Sequence, residues 1–210
     1  GSLSKKELET AEYMAAHQEQ LIYSSITDLA ERAGSSEATV TRVCGKLGYR
    51  GFQALKVGVA RELTTPQEKI HEKLEADSPA EVIIEKIFSS LSMTQKSINV
   101  KAVAASIDAL CRARRIIIIG NGNSASIAAD AQHKFLRLDL NAHAYTDDHM
   151  QMIAVSSMTD QDVLLAISYS GSSRNVVEAA HQAKEQGATV ISLTNEGSSP
   201  VSKLADICLN

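Results

Sequence analysis

Arg115-Ile116-Ile117-Ile118-Ile119-Gly120-Asn121-Gly122-Asn123-Ser124-Ala125 sets the reading of the second half of this chain. The unbroken β-branched run has strand length, and a glycine-rich turn follows it before a helical stretch over 124–136. The same order returns at Val163–Ser168, where Ser168-Tyr169-Ser170-Gly171-Ser172-Ser173 leads into a helix over 173–186. Thr189–Thr194 is another clear strand, Asn141–Thr146 a weaker one, and Ile207–Leu209 a candidate fifth, with helices over 149–157 and 200–205 between them. Strands alternating with helices are the mark of βαβ units, so residues 114–209 predict a parallel sheet in a three-layer αβα, flavodoxin-like arrangement.

The two loops carry the chemistry. Glycines at 120 and 122 let a ligand approach the backbone, and the amides that open a helix favour an anion there. Gly122, Asn123 and Ser124 are the candidates in this loop. Alone, the pattern also fits a dinucleotide fingerprint, with Asp147 as the acidic residue further on. The second loop points elsewhere, because Ser168, Ser170, Ser172 and Ser173 crowd hydroxyls around Gly171 at a strand-to-helix turn. Hydroxyls, amides and the helix dipole together suit a phosphate. The loop lacks the lysine of a Walker motif, which excludes nucleoside triphosphate hydrolysis of that type. In open α/β sheets, ligands sit beyond the carboxyl ends of strands, so both loops, with Asn195 and Glu196 after the next strand, predict one cleft.

Toward the N-terminus, residues 4–63 show helical periodicity and no convincing strand. Ser25 or Thr27 can cap a helix that carries Leu29 and Ala30 inward, Gly34 supplies a sharp turn, and Ser36 caps a second helix holding Val40, Val43 and Leu47. This spacing is the packing logic of a helix-turn-helix. The outward face of its second helix is expected to carry Ser36, Glu37, Thr39, Arg42 and Lys46. Thr39 and Arg42 would reach bases or phosphates, and Lys46 and Arg50 would lie along the phosphate backbone. Overall charge is −4, yet residues 35–61 set Arg42, Lys46, Arg50, Lys56 and Arg61 against Glu37 alone. That local excess is a candidate phosphate-binding surface. Prolines and charge over 64–79 mark a connector, and a helix begins near Pro79 with Ser78 as its cap. The domain boundary expected from this is 1–77 and 78–210.

Quoted together, Ser36-Glu37-Ala38-Thr39-Val40, Leu47-Gly48-Tyr49-Arg50-Gly51-Phe52, GNGNS at 120–124, AQHKFLRL at 131–138, AISYSGSS at 166–173 and SPVSKLAD at 199–206 resemble the RpiR/MurR family of bacterial regulators. That family joins a helix-turn-helix to a sugar isomerase (SIS) domain. The resemblance covers almost the whole chain and implies regulatory binding of a phosphosugar without turnover, with Ser124, Ser168, Ser170 and Ser173 at the positions that hold it. It also implies pairing through the SIS domain and a further helix after the fifth strand, so the SIS domain is expected to be short at its C-terminal end.

The expected partners are a duplex DNA operator, a phosphorylated sugar effector and a second copy of the chain, in the cytoplasm. No cofactor and no catalytic or metal-binding residue is expected. Two rivals stay open: a sugar-phosphate isomerase with a helical appendage, and a dinucleotide-sensing regulator. Asp147-Asp148-His149 follows a strand and can serve either a cleft or a helix cap. His133 and Lys134 read as surface or packing residues. Cys44, Cys111 and Cys208 are too scattered for a disulfide framework and read as reduced thiols.

Overall fold

The computed structural model describes residues 3–63, 79–195 and 197–210. Its contacts divide the chain into two units, Gly1–Ile22 with Leu29–Ile98 and Tyr23–Asp28 with Asn99–Asn210. The cap expected at Ser78, the boundary at residue 77/78 and the cleft role of Glu196 lie outside the described residues.

The N-terminal part is helical: α1 (Lys5–Ala16), α2 (Gln18–Tyr23), α3 (Ile26–Arg32), α4 (Glu37–Lys46), α5 (Phe52–Leu63) and α6 (Pro79–Ser97). A capping box starts α1, with Ser4 Oγ accepting from the Glu7 amide and Glu7 Oε2 from the Ser4 amide. Ser25 Oγ accepts from the Asp28 amide at the start of α3. Gly34 takes the left-handed turn (φ 60°), and Ser36 caps α4 through the Thr39 amide. Ala30, Val40 and Val43 are buried as the spacing predicts, and so are Leu21, Leu29 and Cys44. Leu47 departs from expectation. It lies past the end of α4 and is half exposed, because the chain leaves the helix there through Gly48 in a left-handed turn. On α6, Ile83, Ile87, Phe88 and Leu91 form an apolar stripe that is exposed.

The second unit adds α7 (Val100–Arg112), β1 (Arg115–Gly120), α8 (Asn123–Leu136), β2 (Ala142–Tyr145), α9 (Asp148–Ser156), β3 (Asp162–Ile167), α10 (Arg174–Glu185), β4 (Thr189–Leu193), α11 (Pro200–Leu204) and β5 (Ile207–Leu209). All strand pairs are parallel, in the order β2-β1-β3-β4-β5. That is the flavodoxin-like order the alternation implied. Helices cover both faces, which is why the strands are apolar without alternation. Ile117 and Ile119 pack with Ala154, Val155, Val176 and Ala180 of α9 and α10. Ile116 and Ile118 face the opposite way, toward Leu110 of α7 and Ala128 and Phe135 of α8.

Side chains finish what the strand backbones leave open. Gln132 Oε1 accepts from the Ala144 amide at 2.5 Å on the edge strand β2, so part of the AQHKFLRL stretch protects a sheet edge. Its neighbour Lys134 pairs with Asp130 at the surface. Across the entrance to β1 and β3, Asp162 is buried and receives Arg114 through Nε and Nη2 at 3.0 and 2.7 Å and Arg115 at 3.2 Å. This cluster sits at the amino ends of the strands, opposite the two Gly/Ser loops.

Candidate functional site

Gly120 pairs with Ile167 in the register of β1 against β3, so the two Gly/Ser loops leave the sheet side by side. A Cβ on Gly120 would stand 2.6 Å from the Ser124 carbonyl oxygen, so only glycine lets α8 start this close to the strand. Gly122 occupies the N-cap of α8 and supplies no side-chain cap. At the second loop, Ser173 is the N-cap of α10, yet its hydroxyl makes no capping bond and instead lies 3.4 Å from Ser168 Oγ. The loop therefore does not serve merely as a helix cap. By contrast, α1, α4, α7, α9 and α11 each have a side chain accepting from a first-turn amide. No side chain occupies that place at α8 or α10. At α8 the Ser124 and Ala125 amides bond back to Asn121 O and Gly122 O at 3.1 Å, so the start of α10 is the more open of the two to an anion.

The second loop is pinned from behind. The Asn195 amide donates to Tyr169 O at 2.9 Å, the Val201 amide to Gly171 O at 3.0 Å, and the Ser168 amide to Leu193 O at 3.1 Å. Ser170 accepts weakly from the Ser172 amide at 3.4 Å, and the Ser172 hydroxyl donates to Ser170 O. Ser168 is buried, while Ser170, Ser172, Ser173 and Ser124 are partly exposed and Asn123 is exposed. The structure thus brings Gly122, Asn123, Ser124, Ser168, Ser170, Gly171, Ser172 and Ser173 onto one edge of the sheet.

Sequence reasoning missed the network that supports this edge. Gln151 is fully buried on α9 and donates through Nε2 to Asn121 Oδ1 at 2.6 Å and to Tyr145 O at 3.0 Å. Asn121 in turn donates to Asp148 Oδ1 at 2.6 Å. The first glycine loop is thereby tied to the end of β2. A glutamine four residues after Asp147, on a face otherwise apolar, was the available signal. Asp147 itself caps α9, its Oδ1 accepting from the Met150 amide. Of the two roles open to this acidic stretch, the structure shows the helix cap for Asp147. His149 is exposed beside it. Among the described residues, no group of three or more His, Cys, Asp or Glu side chains is placed to hold a metal ion.

The surface of α4 differs in part from the expected one. Ser36, Glu37, Arg42, Lys46 and Arg50 are exposed. Thr39 is buried, with Oγ1 2.9 Å from Ser36 Oγ and accepting from Arg42 Nη2 at 3.0 Å. Its role is to hold the helix start and Arg42 rather than to face outward. Lys56 is also buried, with its ammonium 5.6 Å from the Phe52 ring centroid, and desolvation lowers its pKa. It cannot join the phosphate-facing surface that the charge count suggested. Glu7, distant in sequence, receives Lys46 at 2.7 Å and Arg42 at 3.4 Å. The side chain of Arg61 lies outside the described residues.

Comparison with known proteins places both halves. Residues 1–66 match the helix-turn-helix domain of the rpiR family, and residues 109–210 match the SIS domain. The HTH-type transcriptional regulator HexR of Pseudomonas aeruginosa is 37% identical over 212 residues, covering 99% of this chain and 74% of that protein. The HTH-type transcriptional regulator RpiR of Escherichia coli is 32% identical over 186 residues, covering 87% of this chain and 63% of that protein. Among solved structures, the Vibrio vulnificus NanR protein complexed with ManNAc-6P aligns with a TM-score of 0.86 at 29% identity, covering 99% of this chain and 75% of that one.

Proposed function

The chain belongs to the RpiR family of helix-turn-helix transcriptional regulators with a SIS domain, and from that premise we propose that a sugar phosphate held between the loops after β1 and β3 modulates its grip on a duplex operator. The observation that carries this reading is the pair of adjacent parallel strands whose loops feed hydroxyls and two uncapped helix starts into one edge. A phosphate monoester fits that chemistry, because hydroxyls and amide donors satisfy its oxygens and the helix dipoles favour its charge. The likeness to a NanR protein complexed with ManNAc-6P supports a sugar as the rest of the ligand.

In this reading Gly122, Asn123 and Ser124 line one side of the ligand, and Ser168, Ser170, Gly171, Ser172 and Ser173 the other. Ser36, Glu37, Arg42, Lys46 and Arg50 meet the DNA, with Arg42 the candidate for a base and Lys46 and Arg50 for phosphates. The DNA-gripping domain is residues 1–77 and the sensor residues 78–210. The protein acts in the cytoplasm as a homodimer, since a palindromic operator needs two recognition helices about one helical turn apart. The exposed apolar stripe of Ile83, Ile87, Phe88 and Leu91 offers a surface for a partner copy. The sensor binds its ligand without turning it over.

A panel of hexose 6-phosphates, their unphosphorylated sugars and inorganic phosphate, compared by thermal shift, tests the sensor half. A ligand specific to the folded state raises the midpoint by mass action. At least one sugar phosphate is expected to do so while its parent sugar does not. Equal shifts from sugar and sugar phosphate, or none from any, overturn the assignment.

A further inference from the structure

Glu7 stands outside the recognition helix, yet both cations of that helix that are expected at DNA converge on it. Its side chain is 7% exposed, which is unusual for a carboxylate unless it is paired. Oε2 accepts from Lys46 Nζ at 2.7 Å and from the Ser4 amide at 2.7 Å, and Oε1 faces Arg42 Nε at 3.4 Å. The Lys46 hydrogen bond and then the Ser4 amide hold its pKa at about 2, so it is charged throughout the physiological range. Arg42 is gripped again on its other arm, where Nη2 donates to Thr39 Oγ1, which lies against Ser36 Oγ at the helix cap. One guanidinium therefore joins the capping box of α1 to the N-cap of α4, while 59% of its side chain remains exposed.

We propose that Glu7 is a positioning residue for sequence-selective DNA contact: from α1 it fixes the directions of Arg42 and Lys46 and so raises discrimination between duplex sequences rather than overall affinity. The inference rests on the DNA-binding reading of α4. An arginine reads a guanine edge with two parallel donors in a fixed plane, so its orientation must be set before contact. A guanidinium already held by a carboxylate and a threonine loses less freedom on docking. A lysine free to swing would attract any phosphate alike. Glu7 is itself immobilised by the capping box, which makes it a rigid reference point.

The test compares the wild-type chain with E7Q and E7D on two duplexes: one enriched by the wild-type protein from a randomised pool, and a scramble of the same composition. Failure of the wild type to enrich any sequence would sink the DNA reading itself, an outcome separate from any effect of the Glu7 variants. Given enrichment, E7Q keeps an acceptor for the Ser4 amide but loses the charge. Its ratio of enriched to scrambled affinity is expected to fall about tenfold, with scrambled binding unchanged or tighter. Circular dichroism and thermal midpoint report whether each variant is folded. E7D keeps the charge and draws it back by one methylene, so its ratio is expected to fall as well, and it decides the matter if E7Q does not fold. A folded variant with the wild-type ratio, or one that tightens on both duplexes equally, overturns the proposal.

Discussion

Gly171 and Ser199 are so close that a Cβ on Gly171 would overlap Ser199 Oγ, and Gly171 also holds φ at 58°. The serine loop after β3 is thus moulded against the start of α11, where Ser199 and Ser202 form a capping box. Gly171→Ala must push the two segments apart and strain the backbone. Sugar-phosphate affinity is expected to fall at least tenfold, about 1.4 kcal/mol or more, as read by calorimetry. An alanine variant that binds like wild type would mean the loop's close seating is irrelevant to the ligand.

Ser170 lies on the same loop with only a long contact from the Ser172 amide, so its hydroxyl has little structural work in the free protein. Ser170→Ala should leave the unliganded unfolding midpoint close to wild type and remove one hydrogen bond to a charged group. That is about 1.5–3 kcal/mol of ligand binding, or roughly tenfold or more in Kd. Equal binding by wild type and variant would remove Ser170 from the site.

Asp162, at the far end of the same strand, is a stability residue. Its side chain is fully buried and receives Arg114, Arg115 and the Thr159 amide. Asp162→Asn keeps the shape and leaves two arginines underpaired; Arg114 is half exposed, so water recovers part of the loss. Denaturant unfolding should show about 2–3 kcal/mol of destabilisation. Burial alone would push the Asp162 carboxyl up. The Arg114 hydrogen bond, the Thr159 amide and the charges of Arg115 and Arg114 outweigh it and hold the group below its usual 3.8. A folded value below the unfolded one contributes stability above about pH 4 that is lost as the pH falls through the folded value. The variant should therefore lose stability less steeply in acid than the wild type does.

The three thiols should separate by reactivity. Cys44 is buried in the helical unit, and burial lifts its pKa to about 11, whereas Cys111 is exposed on α7. Cys208 is partly buried, with Sγ 3.2 Å from Ser202 O. Maleimide mass labelling of the native protein should modify Cys111 first, Cys208 slowly, and Cys44 only on unfolding. Early labelling of Cys44 would contradict the packing of α4.

Much of the fold was legible because its signals are local. The isoleucine run of β1, the serine-rich turn after β3 and the Ala30, Gly34, Val40, Val43 spacing each specify backbone geometry through neighbours a few residues away. What stayed hidden depends on how side chains fold onto one another, either within a turn of helix or between distant segments. Nothing around Thr39 says that Arg42 and Ser36 enclose it. Lys56 reads as a surface cation until Phe52 and its surroundings bury it. Glu7 sits about forty residues from the cations it neutralises, so a charge count over a window of sequence overstates the free positive surface of α4. At the sheet edge, the hydroxyls were visible but the Gln151-Asn121-Asp148 network behind them was not, since it joins three separate segments.

Regulation by a metabolite requires that the anion-friendly edge of the sheet and the helix-turn-helix be energetically coupled. Fluorescence anisotropy of a labelled duplex enriched by the wild-type chain, titrated at fixed salt with and without the sugar phosphate that stabilises the protein, measures that coupling. The ligand is expected to change duplex affinity at least fivefold, about 1 kcal/mol of coupling, and Ser170→Ala to abolish the change while leaving DNA binding in the absence of ligand intact. Identical duplex affinity at saturating sugar phosphate would contradict the coupling, since a ligand that binds both states equally shifts neither.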